Sequence, residues 1–164
     1  MLGLSDFTDG GAMSAAIIEE ISLPFLIAFW RDVRENIREC LKATPDDLFA
    51  WAPKEGMQTF GRLYVHLSTA VIWWLSKYVQ DGGPWITSDE LSKTDRQEID
   101  ANLVQTFARV ERFAREGDLA RTYEYKGRSV TGAWILMHLF EHDVHHRAQL
   151  KVYLRENGIA PPSS

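Results

Sequence analysis

The sequence predicts an all-α protein, a bundle of four helices, and three observations point there. Glycine and proline punctuation divides the 164 residues into four long segments, each segment repeats apolar side chains at helical spacing, and no convincing set of alternating strands lies between them. A helix must bury one stripe against its neighbours, so long rods joined by loops pack around a common core.

The first segment, Met13 to Ala43, carries Ile18, Ile21, Phe25, Phe29, Val33, Ile37 and Leu41 close to a heptad seam. Pro24 has no amide donor and crowds the preceding turn, which predicts a helix start or kink near Ser22. Residues 1–12 are expected to form a flexible arm. Thr44-Pro45 ends the segment, and Pro45 to Met57 reads as a loop with one helical turn at Asp46 to Phe49. The second helix is expected from Thr59 to Gln80, stopped by Asp81-Gly82-Gly83-Pro84. Its apolar residues, from Phe60 to Tyr78, cover almost the whole circumference, so it must be buried on more than one side, and a second chain is expected to cover the surplus face. The third helix is expected from Ser88, as its cap, to Glu116, with Gly117 as the stop and a polar outer face. Thr122 to Ser129 alternates and contains a turn glycine, which suits an extended pair before Ser129 or Thr131 opens the fourth helix, ending at Asn157-Gly158.

A chain of this length suits a single domain over residues 1–164 that buries about two thirds of its unfolded surface. Its 45% apolar content and six tryptophans predict a substantial core. The net charge of −5, with no basic run, lacks the phosphate-neutralising surface of nucleic-acid binders, so no nucleic-acid partner is expected. The N-terminus shows neither a signal peptide nor a spanning segment, and no membrane association is expected. The single cysteine, Cys40, excludes an internal disulfide and a thiolate cluster, and a cytoplasmic location is the expectation.

Residues 138–149 hold the chemistry. Four of the five histidines, His138, His142, His145 and His146, fall within nine residues of the fourth helix. At about 100° per residue His142 and His146 lie one turn apart on the face that also carries Ile135, Leu139, Leu150 and Tyr153, while Asp143, Arg147, Lys151 and Arg155 lie on the other side. Two inward imidazoles one turn apart can reach one metal ion, and the remaining histidine, His66 in the apolar second helix, is the expected third ligand. His138 and His145 are close enough on the wheel to serve instead, and are expected to flank the mouth of the site. His138-Leu139-Phe140-Glu141-His142 also matches the H-x-x-E-H pattern of inverted zinc proteases, with Glu141 as base. That pattern arises wherever histidines repeat every four residues, and the glutamate remaining downstream as a further ligand is Glu156, too close in sequence for such a fold. Tyr64, Trp73, Trp134 and Tyr153 are candidates to line an apolar pocket, Arg147 to pair with Asp143 at the surface, and Gln149 to hydrogen-bond across the bundle. Glu141 and Asp143 flank the stripe, and neither is identified as a general base.

The run His142-Asp143-Val144-His145-His146-Arg147-Ala148-Gln149, with Thr59-Phe60-Gly61-Arg62-Leu63-Tyr64-Val65-His66 earlier, closely resembles the DinB-like family of damage-inducible bacterial proteins. The family's late motif reads H-x-x-x-H-R-G-Q, and this chain has Ala148 where glycine is usual. The resemblance implies a four-helix bundle with an unusual helix order, a facial triad of His66, His142 and His146 for a divalent metal, and frequent homodimers. Related branches include thiol-dependent transferases using mycothiol or bacillithiol. Three neutral histidines leave metal positions open to water or substrate, a catalytic pattern suited to Zn, Ni or Fe. The expected function is thus a metal-dependent thiol transferase or hydrolase acting on a small electrophilic molecule, with a low-molecular-weight thiol as possible co-substrate. The alternative is a non-catalytic, dimeric metal-binding stress-response or structural protein.

Overall fold

A computed structural model describes the backbone of residues 9–163 and the side chains of residues 23–163. Four helices dominate: α1 (Asp9–Ala43), α2 (Phe60–Trp74), α3 (Arg96–Glu116) and α4 (Gly132–Glu156), with a short hairpin of β1 (Thr122–Tyr125) and β2 (Arg128–Thr131) before α4. The protein is therefore an all-α bundle carrying one small hairpin.

Helix α1 runs through Ser22 without restarting, and Pro24 lies inside it. Pro24 is exposed, on a side where solvent can serve the backbone group its ring leaves unpaired. Of the expected arm, residues 1–8 lie outside the described residues, and residues 9–12 belong to the first turn of α1. The seam also differs from expectation. Val33, Ile37 and Leu41 are buried as expected, but Phe25 and Phe29 are 69% and 46% exposed while Trp30 and Arg34 lie inside. The side chains of Ile18 and Ile21 lie outside the described residues.

A single 3₁₀ turn at Asp46–Leu48 follows Pro45, as expected. Thr59 caps α2 by accepting from the amide of Arg62. The last turn of this helix widens to a π turn over Leu75–Val79, and Gln80 stops it in the left-handed conformation, φ 57°. Helix α3 begins at Arg96, not Ser88, because Asp95 is the better cap: its carboxylate accepts from the amides of Gln97 and Glu98, and Ser92 Oγ accepts from Thr94 and Asp95. Residues 81–95 are instead a long connection strapped to α3 by Arg109, whose guanidinium donates to Asp81, Ser76 Oγ and the carbonyl of Pro84. The hairpin turns at Lys126 and Gly127, both with positive φ, the combination that matches the twist of paired strands. Thr131 caps α4 through the amide of Trp134, and Gly158 (φ 72°) follows its end.

α1 packs on α3 and α4, and α2 packs on the same two, so the order around the bundle is α1, α3, α2, α4. This order makes neighbours of α2 and α4, the helices that carry the histidines. It also covers much of α2 within one chain: Leu63, Tyr64, Leu67, Val71, Ile72, Trp74 and Leu75 are all buried, while Trp73 and Tyr78 are half-buried. Gly61 in the first turn of α2 permits a tight backbone junction: its amide donates to the carbonyl of Phe49 (3.0 Å), and a Cβ there would stand 1.9 Å from the carbonyl oxygen of Lys93. No helix among the described residues is long and apolar enough to cross a membrane.

Candidate metal centre

His66 projects from the middle of α2 and His142 and His146 from successive turns of α4. Their rings converge, with centroids 4.7 Å apart for His66 and His142, 4.9 Å for His66 and His146, and 4.4 Å for His142 and His146. One nitrogen from each lies within 4.8 Å of the others, and Nε2 of His66 faces Nε2 of His142 at 2.9 Å. A tetrahedral ion with bonds of about 2.0–2.1 Å separates its donors by about 3.3 Å, so the three nitrogens fit a common ion after small ring adjustments. Burial, then the neighbouring His142, pushes His66 down to about 4, and the same two causes in the same order bring His146 to about 4. Both rings are therefore neutral at physiological pH, the state in which imidazole offers a lone pair to a metal.

The second ring nitrogen of His146 is held from behind. Nδ1 of His146 donates to Oε1 of Gln149 (2.9 Å), Gln149 Nε2 donates to the hydroxyl of Tyr153 (3.2 Å), and that hydroxyl donates to the carbonyl of Gln58 (3.1 Å). The chain runs from α4 to the loop before α2 and fixes the tautomer that leaves Nε2 of His146 free. Gln149 thus bonds across the bundle through Tyr153, as the sequence suggested in part. Behind His142 lies Asp143, which the helical wheel put on the outer side and which is fully buried. Its Oδ2 accepts from Trp30 Nε1 (2.6 Å) and Arg34 Nε (2.5 Å) on α1, so the expected surface pair between Asp143 and Arg147 does not form. Trp30 and Arg34, one turn apart on α1, were missed, and the one signal for them was a tryptophan and an arginine spaced i,i+4 beside the apolar seam.

The other candidates separate cleanly. His138 stacks on Trp134 (4.9 Å, 9°) and flanks the cavity at His66 and His142, as expected, without joining the ligand cluster, and His145 is exposed beside His146. Glu141 is exposed on the opposite side of α4, with no place beside the triad for the base of an inverted zinc protease. Ala148, at the family's glycine position, faces solvent, where its methyl disturbs no packing. Tyr64 is core, its hydroxyl 2.9 Å from Thr44 Oγ1, and Tyr153 supports His146, so neither lines a pocket at the triad. Trp73 does. With Ile72, Trp74, Trp85, Ile86 and His138 it walls a cavity of about 490 Å³ that opens directly onto His66 and His142. Cys40 is buried, and loss of hydration pushes its thiol up to about 11, so it is no nucleophile.

The chain and its fold have relatives. Residues 20–164 match the DinB family. The chain is 24% identical over 141 residues to the uncharacterized protein YjoA of Bacillus subtilis (strain 168), a match covering 81% of this chain and 89% of that protein. The crystal structure of a DinB-like protein from Bacillus cereus ATCC 10987 is similar at a TM-score of 0.68 and 23% identity, covering 85% of this chain and 95% of the other. That of a DinB-like protein, YjoA, from Bacillus subtilis is similar at 0.64 and 22%, with the same coverage. With nearly the whole helical bundle inside the match and the histidine motifs at its centre, the chain belongs to the DinB family.

Proposed function

We propose that the protein is a metal-dependent enzyme in which His66, His142 and His146 hold one divalent ion, with Zn, Ni or Fe(II) all suited to three nitrogen donors. The observation that carries this reading is that the triad is open on one side. His66 and His142 are themselves part of the wall of the 490 Å³ cavity, whereas a structural site would be closed by a fourth protein ligand. A bound divalent ion supplies Lewis acidity there, holding a thiol as its thiolate or bringing a bound water to a pKa of about 7.

The protein's own residues do the rest. The Gln149–Tyr153 chain holds the imidazole of His146 in place, Asp143 stands 3.7 Å behind His142, and the tryptophan-lined wall orients a small electrophilic substrate and sheds water from it. Transfer of a low-molecular-weight thiol is favoured over hydrolysis, because among the described residues no carboxylate lines this cavity to serve as a general base for water. Such chemistry suits the reducing cytoplasm, and a single buried cysteine is consistent with that compartment. Self-association is part of the proposal: Phe25, Phe29 and Met137 leave an apolar strip on α1 and α4 that a second copy would cover.

Elemental analysis of untagged protein is expected to find about one metal per chain, lost in His66→Ala and in His142→Ala. Incubation of the loaded protein with thiols and a panel of electrophiles, read by mass spectrometry, is expected to give thioether adducts that disappear on chelation. Full metal content in both variants would defeat the proposal. A large fall in melting temperature on chelation, with no adduct or hydrolysis product, would favour the non-catalytic metal-binding protein instead.

A further inference from the structure

We propose that the cavity beside the triad takes a neutral, flat aromatic group, so that the substrate is an uncharged aromatic compound whose reacting atom faces His66 and His142. This deepens the enzymatic reading and rests on it for the position of the reacting atom.

Charge comes first. Among the described residues no Asp, Glu, Lys or Arg lines this cavity; its polar side-chain groups are all uncharged, the hydroxyls of Thr69, Thr87 and Ser88, the indoles of Trp73, Trp74 and Trp85, and the imidazoles of His66, His138 and His142. An anionic group lodged against the tryptophans, away from the end of the cavity at His66 and His142 where an ion would sit, would give up its hydration with no cationic side chain in the lining to replace it. A cationic group would find aromatic faces, but the ammonium of Lys77 already sits 5.0 Å from the centre of the Trp73 ring, and the guanidinium of Arg128 lies 4.8 Å from that of Trp134, the ring on which His138 stacks. The protein has supplied its own cations to that cluster, and a further one would meet like charge and no carboxylate.

Shape comes second. Trp73 and Trp74 pack edge to face on each other (5.0 Å, 86°), which holds both indoles rigidly in the wall of the cavity. Trp85 stands over the opening from the connection between α2 and α3, 53% exposed, which leaves a large indole without the cover that a stacked ring would give. A volume of 490 Å³ falls within the range of about 300–1,000 Å³ typical of small-molecule sites. The larger apolar groove at Phe29, Met137 and Phe140 has none of the hydroxyls or imidazoles that would orient a reacting group.

Three probes of one shape test this: 2-naphthamide, 2-naphthalenesulfonate and 2-naphthylmethylammonium, titrated calorimetrically into the purified full chain with zinc content measured in the same samples. The amide is expected to bind at least tenfold more tightly than either ion. Ala70→Trp, which fills the cavity from α2, is expected to weaken amide binding at least tenfold, and Trp85→Ala, an exposed position that tolerates truncation, several-fold. Either ion binding as tightly as the amide, or unchanged amide affinity in Trp85→Ala, overturns the proposal. Zinc at one per chain with no preference for the amide would sink the pocket and leave the triad standing; the preference without zinc would do the reverse.

Discussion

Oδ1 of Asp143 stands 3.7 Å from Nδ1 of His142, and neither atom has a hydrogen-bond partner among the described residues. The carboxylate is anchored through its other oxygen to Trp30 and Arg34, so α1, which offers no ligand, braces a ligand on α4. A small turn of the His142 ring brings its Nδ1–H onto Oδ1 and directs Nε2 at the centre of the triad.

Asp143→Asn keeps the shape and removes the charge. It is expected to weaken zinc binding by about 10–100-fold in a chelator competition, and to cost about 3–5 kcal/mol in urea unfolding because Arg34 is left charged and buried. Zinc affinity equal to wild type would reduce Asp143 to a partner for Arg34.

Gln149→Ala removes the acceptor that fixes the His146 tautomer while leaving the core intact. A loss of about tenfold or more in metal affinity is expected, with the melting temperature of the metal-free protein nearly unchanged. Tyr153→Phe, which breaks the same chain one link further on, is expected to have a smaller effect on affinity.

Acid should loosen the metal-free fold in a defined window. The unfolded chain protonates its histidines near pH 6.5 and the folded chain protonates His66 and His146 only near 4, so the unfolded state binds more protons between those values. Stability is therefore unaffected by these rings above pH 6.5, falls as pH drops from 6.5 to 4, and levels off below. Thermal melts from pH 7.5 to 4 check this, and His66→Ala should flatten the slope.

Arg109→Ala releases the strap on the connection that carries Trp85. Asp81, held below its usual carboxylate value by its bonds to Arg109 and Gly83 despite its burial, loses its partner, and a cost of about 1–3 kcal/mol is expected. Hydrogen exchange should rise over residues 81–88 and stay unchanged over α1.

Light scattering of the purified protein is expected to give the mass of a dimer. Phe29→Glu places a charge in the strip formed by Phe25, Phe29 and Phe140 and is expected to give the monomer with zinc content unchanged.

Much of this architecture was legible because local chemistry settled it. Thr59 and Thr131 mark helix starts by capping, Gly117 marks a stop where a Cβ would strike the ring of Phe113, and the spacing of His142 and His146 fixes a shared face whatever surrounds it. What stayed hidden depends on more than one helix at a time. A wheel drawn for α4 alone assumes one buried side, yet α4 packs on both α1 and α2, so the side holding Asp143 is interior as well. For the same reason a heptad seam on α1 picked out Phe25 and Phe29 and passed over Trp30 and Arg34. The start of α3 turned on a choice between two good caps, Ser88 and Asp95, decided by Arg109 drawing the preceding residues across the helix.

At Gly61 the helix bearing His66 and the end of the connection to α3, at Lys93, meet backbone to backbone, closer than any side chain allows. The distance between the two backbones is therefore fixed by a residue with no side chain. A methyl at that point would act as a wedge, pushing the carbonyl of Lys93 away from the helix that carries His66.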